Sequence, residues 1–234
     1  MHQETPFMAQ EADSAFAVLK SGGVAIMPMD VGYSAIGGSY AALRRIFEAK
    51  RRQPTKFNAM IGDNELAREL YVLPDEGWAA FYAIAVDDDL PLGVIGPCRM
   101  DHPILAAMEP EALSMSTKDG TLCMLTNAGS FHAAISRRSR EAGHALFGSS
   151  ANLSLAGTKF QAVDIEPEIR DVADIVIDHG LRKCWPYRAS STLLDLSTFE
   201  VVRYGSSYEL IQDTMQRRFG VTLPDAPQPL RIQD

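Results

Sequence analysis

Apolar residues recur at helical spacing in Ala12, Ala15, Phe16 and Leu19, and the stripe runs out at Gly22-Gly23. The spacing predicts a helix that buries one face and stops at the glycine pair. The uninterrupted apolar run Val24 to Met27 then reads as a buried strand. Pro28 cannot donate to a ladder, so pairing is expected to end there, leaving Asp30 to Ser34 in a loop at the strand's carboxyl end, where open α/β sheets gather ligands. Leu43, Ile46, Phe47 and Lys50 form a second helical stripe, with Arg44 and Arg51 on the opposite face. The stripe aims Lys50 inward, and an inward ammonium needs an anion or a route for its head to reach water. Pro54 is expected to close this helix.

Further along, Phe57 to Ile61 reads as a strand, Asn64 to Leu70 as a short helix, and Asp75 as the N-cap of a helix that turns Trp78, Phe81 and Tyr82 to the core. Leu92 to Ile95 and Leu122 to Leu125 read as buried strands, while 97–120 shows no clear period. Phe131 to Ala142 is helical, and Ala145 to Phe147 is a brief strand delivering Ser149-Ser150-Ala151-Asn152 as a loop. Strands are expected at Ile175 to Ile177, Thr192 to Leu194 and Glu200 to Arg203, then a helix from Tyr208 to Phe219. Strands and helices interspersed in this way predict an α/β or α+β fold with a twisted, mixed sheet. We read one domain, 1–222, followed by a Pro-rich tail, 223–234, that is loosely packed or extended.

Two short stretches carry candidate chemistry. Lysine in Lys50-Arg51-Arg52 offers a compact charge and arginine a planar fork, while a serine hydroxyl, an asparagine amide and backbone N–H groups of Ser149-Ser150-Ala151-Asn152 complete a phosphate cradle. Taken singly, each stretch reads equally as a solvated helix end and a helix cap. A serine-hydrolase elbow at Gly148-Ser149-Ser150-Ala151-Asn152 requires glycine where Asn152 stands, whose side chain would crowd the turn.

The order of Pro28-Met29-Asp30-Val31-Gly32-Tyr33, Lys50-Arg51-Arg52, Ser150-Ala151-Asn152-Leu153-Ser154, Ser191-Thr192-Leu193-Leu194-Asp195 and Arg203-Tyr204-Gly205 resembles the YrdC-like family of threonylcarbamoyl-AMP synthases, from about residue 12 to 206. The resemblance implies a YrdC-like twisted mixed sheet flanked by helices, with a concave ligand face. It also implies an ATP-using nucleotidyltransferase of tRNA threonylcarbamoyladenosine formation, in which ATP, bicarbonate and an amino acid give a carbamoyl-adenylate and pyrophosphate. On that reading Lys50 and Arg52 are catalytic and, with Ser150, Asn152 and Arg203, hold ATP and its Mg²⁺; Asp30, Tyr33, Ser191 and Thr192 lie toward the amino acid or carbamate. Members are also associated with double-stranded RNA, so the alternative is a tRNA- or double-stranded-RNA-binding module that has lost the synthase reaction. The family's motif threonines are Met29 and Val31 here, its motif glycine is Ser34, and its Arg-x-Pro is missing from Leu122 to Ala128. Those departures imply weak or relaxed threonine use, with another amine or carbamoyl compound as acceptor.

Composition narrows the partners. With 234 residues, 46% hydrophobic, the chain buries a sizeable core, and a net charge of −8 leaves no global field for nucleic acid, so RNA contact must be local. The candidate patches are Arg44 to Lys56 and the cluster Arg137, Arg138 and Arg140. Three dispersed cysteines argue against a disulfide framework and fit a reducing cytosol, and five dispersed histidines lack zinc-site spacing, so no metal site is expected in the protein itself. Without a leader-like amino terminus or a run near the ~20 apolar residues of a membrane span, the protein is expected to be cytoplasmic.

Overall fold

The computed structural model describes residues 4–53 and 56–227. The Thr5 hydroxyl accepts from the Met8 N–H to start α1 (Pro6–Lys20), with Pro6 in the first turn where a missing donor is harmless. Ala12, Ala15 and Leu19 are buried. The next two segments correct the sequence reading. Pro28 does not end its strand: β1 (Val24–Met29) pairs through it with β2 (Gly32–Gly37), Pro28 opposite Tyr33 and Met29 opposite Gly32. Asp30 and Val31 therefore form a tight hairpin turn, and Tyr33 and Ser34 lie in a strand. The carbonyls of Val24 and Ile26 accept from Asp174 and Ile177 on the other side of β1. Pro28, of the same parity, turns its missing donor to that side, beyond the end of β8 (Ile175–Val176), which pairs only with Ala25 and Ile26.

Helix α2 (Tyr40–Ala49) starts on the Ser39 hydroxyl and ends at Lys50; Pro54 lies outside the described residues. There follow β3 (Ala59–Ile61), shorter than expected, α3 (Asn64–Leu70) and α4 (Asp75–Tyr82), which continues as a π-helical turn over Ala83–Asp87. Pro74, not Asp75, is the N-cap of α4, and Trp78 and Tyr82 are only half-buried beside a buried Phe81. After β4 (Leu92–Pro97), the stretch without period proves to be α5 (Pro103–Ala106), α6 (Pro110–Ser114) and β5 (Thr117–Lys118), each too short to establish one. Then come β6 (Thr121–Thr126), α7 (Ser130–Glu141), β7 (Phe147–Ser150), α8 (Pro167–Arg170), β8, β9 (Leu193–Asp195), β10 (Val201–Arg203) and α9 (Tyr208–Phe219). Strand β7 includes Ser149 and Ser150, so the expected loop begins only at Ala151.

The described strands form one ten-stranded mixed sheet in the order β10-β9-β4-β6-β3-β7-β2-β1-β8, with β5 pairing β6 off this path. Alternation along the strands separates two faces. Met60, Val94, Leu122, Met124 and Leu194 pack with residues of α3, α4 and α9. Ala25, Met27, Ile36, Ile61 and Leu125 turn to the opposite side, where α1 and α7 cover them. That second cover reaches Ile61 and Leu125 at its margin, and beyond it a cavity opens over the middle strands. The stretch expected to be loose is anchored where it begins: Leu223 is buried, its carbonyl accepts from Gln212 at 3.1 Å, and the Tyr208 hydroxyl donates to the Pro224 carbonyl.

Candidate functional site

Strand register lays out the floor of the open face. Ile61 stands opposite Leu125, Leu125 opposite Gly93, and Gly93 opposite Leu193, giving one row across four strands. Further along the strands, Ile36 faces Gly148, Gly148 faces Ala59, and Cys123 faces Ile95. Further again, Ser34 faces Ser150. A cavity of about 600 Å³ opens over these rows. The charged side chains among the described residues that line it are all cations: Arg52 and Lys56 from the segment after α2, Lys118 from β5 and Arg203 from β10. Ser34, Ser116, Ser149, Ser150, Ser190 and Ser191 add hydroxyls.

The two arginines are held by backbone. Arg52 donates to the Phe57 carbonyl at 2.6 Å, and Arg203 donates to the Ser191 carbonyl at 2.8 and 3.0 Å and to its hydroxyl at 3.2 Å. Burial lowers the pKa of both, and the charge of Arg203 lowers that of Arg52 further. Cys123 lies in the field of both guanidiniums, yet burial pushes its thiol up to about 11, so it stays neutral. Two like charges thus converge on a cavity with no carboxylate between them, an arrangement that favours an anionic ligand.

Lys50 has a different role in the geometry. Its side chain is buried, and Nζ donates to the carbonyls of Ser150 and Asn152, bracing the turn that carries the Ser-Ala-Asn motif. The Ser154 hydroxyl answers by donating to the Lys50 carbonyl at 2.7 Å. Burial, with a smaller contribution from Arg52, pulls the lysine down to about 7, and the two hydrogens of a neutral amine suffice for both carbonyls. The two sequence motifs are therefore bonded to each other, with Lys50 as the strut and Arg52 at the cavity wall. Asn152 is buried with Oδ1 unpartnered, and the Ser149 hydroxyl at the cavity is also buried and unpartnered.

Among the remaining expected site residues, only Ser191 lines the cavity. Thr192 is fully buried and donates to the Ser206 carbonyl at 3.1 Å. The Tyr33 hydroxyl lies on the other face of β2, 2.7 Å from the Asp178 carboxylate, and it accepts from the His179 N–H at 3.1 Å; the Tyr33 bond holds Asp178 below the usual carboxylate range. Asp30 accepts from Arg182 at 3.4 Å and abuts Gly129, where a Cβ would come within 2.4 Å of Oδ1. Met29 and Val31 are buried in the core under α1 and α7, away from the cavity, so the apolar pocket inferred from them is not where the motif suggested. The sequence reading missed Ser34, Lys56, Lys118, Cys123, Ile61 and Leu125 as lining residues. A signal for Lys118 existed in the Asp119-Gly120 turn, with φ of 51° and 73°, which folds β5 back on β6.

The surface basic clusters are largely neutralised. Arg44 pairs with Glu48, Arg45 with Asp174, Arg137 with Glu4, Arg138 with Glu4 and Asp13, and Arg140 with Asp63 and Glu65.

Comparison with known proteins places this geometry. Residues 17–205 match the Sua5/YciO/YrdC family model, described as telomere recombination. No curated protein matches the chain. Among solved structures, the hypothetical protein smu.1377c from Streptococcus mutans UA159 is similar at 22% identity and a TM-score of 0.70, over 89% of this chain and 92% of that one. P. abyssi Sua5 complexed with L-threonine matches at 18% identity and a TM-score of 0.69, over 96% of this chain but 65% of its own length. E. coli YciO matches at 17% identity and a TM-score of 0.63, over 84% and 90%. These likenesses establish a shared fold, and with the family model spanning most of the sequence, the chain belongs to the Sua5/YciO/YrdC family.

Proposed function

We propose that the cavity binds ATP and that the chain forms a carbamoyl-adenylate from ATP, bicarbonate and an amino acid, the reaction class of tRNA threonylcarbamoyladenosine formation. The observation that carries this reading is the convergence of Arg52 and Arg203, held by carbonyls and unneutralised, on a cavity lined by cations and hydroxyls. The unpartnered Ser149 hydroxyl supports it, as does the likeness to a Sua5 complexed with L-threonine. The amine of the amino acid attacks the carbon of bicarbonate; the C–O bond to the bicarbonate hydroxyl breaks, and that hydroxyl leaves as water with a proton from the amine, giving a carbamate. A carbamate oxygen then attacks the α-phosphorus and the bond to pyrophosphate breaks. Such chemistry rests on positioning and charge neutralisation, which the four cations supply. The described lining has no carboxylate that would hold a metal by itself; Mg²⁺ would come with the phosphates of ATP and would help neutralise their charge, with the lining serine hydroxyls as its nearest protein oxygens.

Titration calorimetry tests this. Wild-type chain should bind ATP, and Arg52→Ala or Arg203→Ala should weaken binding about ten- to a hundredfold, the equivalent of one charge-assisted contact. Wild type silent toward both ATP and AMP at millimolar concentration would sink the reading.

A further inference from the structure

The cavity floor is graded in a way that bears on the acceptor. One corner carries the facing pair Ser34 and Ser150, whereas the side chains of the row through Ile61, Leu125 and Leu193 offer only carbon. Gly93 sits inside that row, and a Cβ there would come within 2.1 Å of Leu193 Cδ2, so glycine is what lets Leu193 lie across the shelf. Ile61 and Leu125 also belong to the core under α1 and α7, which makes the shelf an extension of packed interior and not a loop-lined surface. Arg203, in register with Leu193, ends the row with a guanidinium.

We infer that the shelf receives the side chain of the acceptor, and that the acceptor is an aliphatic α-amino acid. This rests on the reading of the cavity as a carbamoyl-adenylate site. A hydroxyl laid on Ile61 and Leu125 would give up its water against carbon, whereas a methyl in the same place is buried with its own kind. The Ser191 hydroxyl and the Thr192 carbonyl stand at the Gly93 position of the row, 3.2 and 3.0 Å from where a Cβ would lie. Valine and threonine are the discriminating pair, because they share a shape and differ only by methyl for hydroxyl.

The test is ligand-observed NMR competition between L-valine and L-threonine on the full chain, run with and without ATP. Valine should bind about ten- to a hundredfold more tightly, the discrimination an apolar pocket achieves between such isosteres. Leu125→Thr and Leu193→Thr, on different strands, should each reduce that preference to about threefold or less by giving the hydroxyl a partner. A cooperative thermal melt checks that each variant folds; should one fail, the other variant and the wild-type ratio still decide. Threonine binding as well as valine, neither amino acid binding, or a preference unmoved by both substitutions overturns the inference. Valine selectivity in a chain that binds no ATP would instead sink the nucleotide reading and leave the shelf standing.

Discussion

Lys50 and Arg52 are two residues apart at the same helix end, and the fold treats them in opposite ways. Lys50 is enclosed and spends its hydrogens on the carbonyls of Ser150 and Asn152. Arg52 is anchored by the Phe57 carbonyl and shares an open cavity with Arg203, a like charge that raises the cost of both. The first arrangement is complete without a ligand; the second is left incomplete, and an incomplete electrostatic arrangement is the one able to bind. A motif written as Lys-x-Arg thus joins a residue that builds the site to one that faces its occupant.

The contrast is broken most forcefully at Lys50. Lys50→Met leaves the buried Asn152 carbonyl without a donor and takes one of two donors from the Ser150 carbonyl, which also accepts from the Asn152 N–H at 3.0 Å. It should cost about 1–3 kcal/mol in urea denaturation, the cost of one orphaned buried group. Arg203→Ala and Arg52→Ala should do the reverse, leaving apo stability within about 1 kcal/mol of wild type because each removes a repulsion along with its contacts, while ATP affinity falls. Arginine variants that unfold the apo protein as strongly as Lys50→Met would erase the distinction.

A pH series sharpens it. The unfolded lysine keeps its proton up to about 10.5, but the folded one gives it up near 7, so unfolding takes up a proton between those values. Stability contributed by Lys50 should therefore climb with pH by up to about 1.4 kcal/mol per unit above pH 7 and be flat below it. The thiols of Cys98, Cys123 and Cys184, pushed up to about 11 by burial, act in the opposite direction once unfolded thiols ionise near 9. Urea midpoints between about pH 7 and 8.5 isolate the lysine, and the slope should vanish in Lys50→Met. The smallest effect is expected at the surface: Arg44→Ala, which breaks only an exposed pair with Glu48, should change stability by less than about 0.5 kcal/mol. In gel shifts on tRNA, any binding should fall steeply with salt and respond more to Lys56→Ala or Lys118→Ala than to Arg44→Ala.

Local periodicity carried much of this into the sequence. The stripe Leu43, Ile46, Phe47, Lys50 correctly turned Lys50 inward, and Ala12, Ala15 and Leu19 marked the buried face of α1. What periodicity could not convey was the partner, because the two carbonyls come from a turn a hundred residues later. Pro28 misled for a similar reason: whether a missing donor ends a strand depends on which side the neighbouring strand lies, and β8 stops short of it. Met29 and Val31 were legible as departures from a motif but not as core residues, since their orientation follows from a hairpin that the proline had seemed to forbid.

The sheet order carries a consequence for synthesis. The last third of the chain supplies both margins: β8 closes the edge at β1, while β9 and β10 close the edge at β4. A ribosome that has made the first 170 or so residues therefore displays a half-built sheet with two bare edges, each able to pair with a neighbouring nascent chain. Distant pairings of this kind also close slowly. Chains stopped before Ile175 should pellet from a translation extract, and those extended through Phe219 should not; equal solubility would mean that the early strands wait unassembled until the margins arrive.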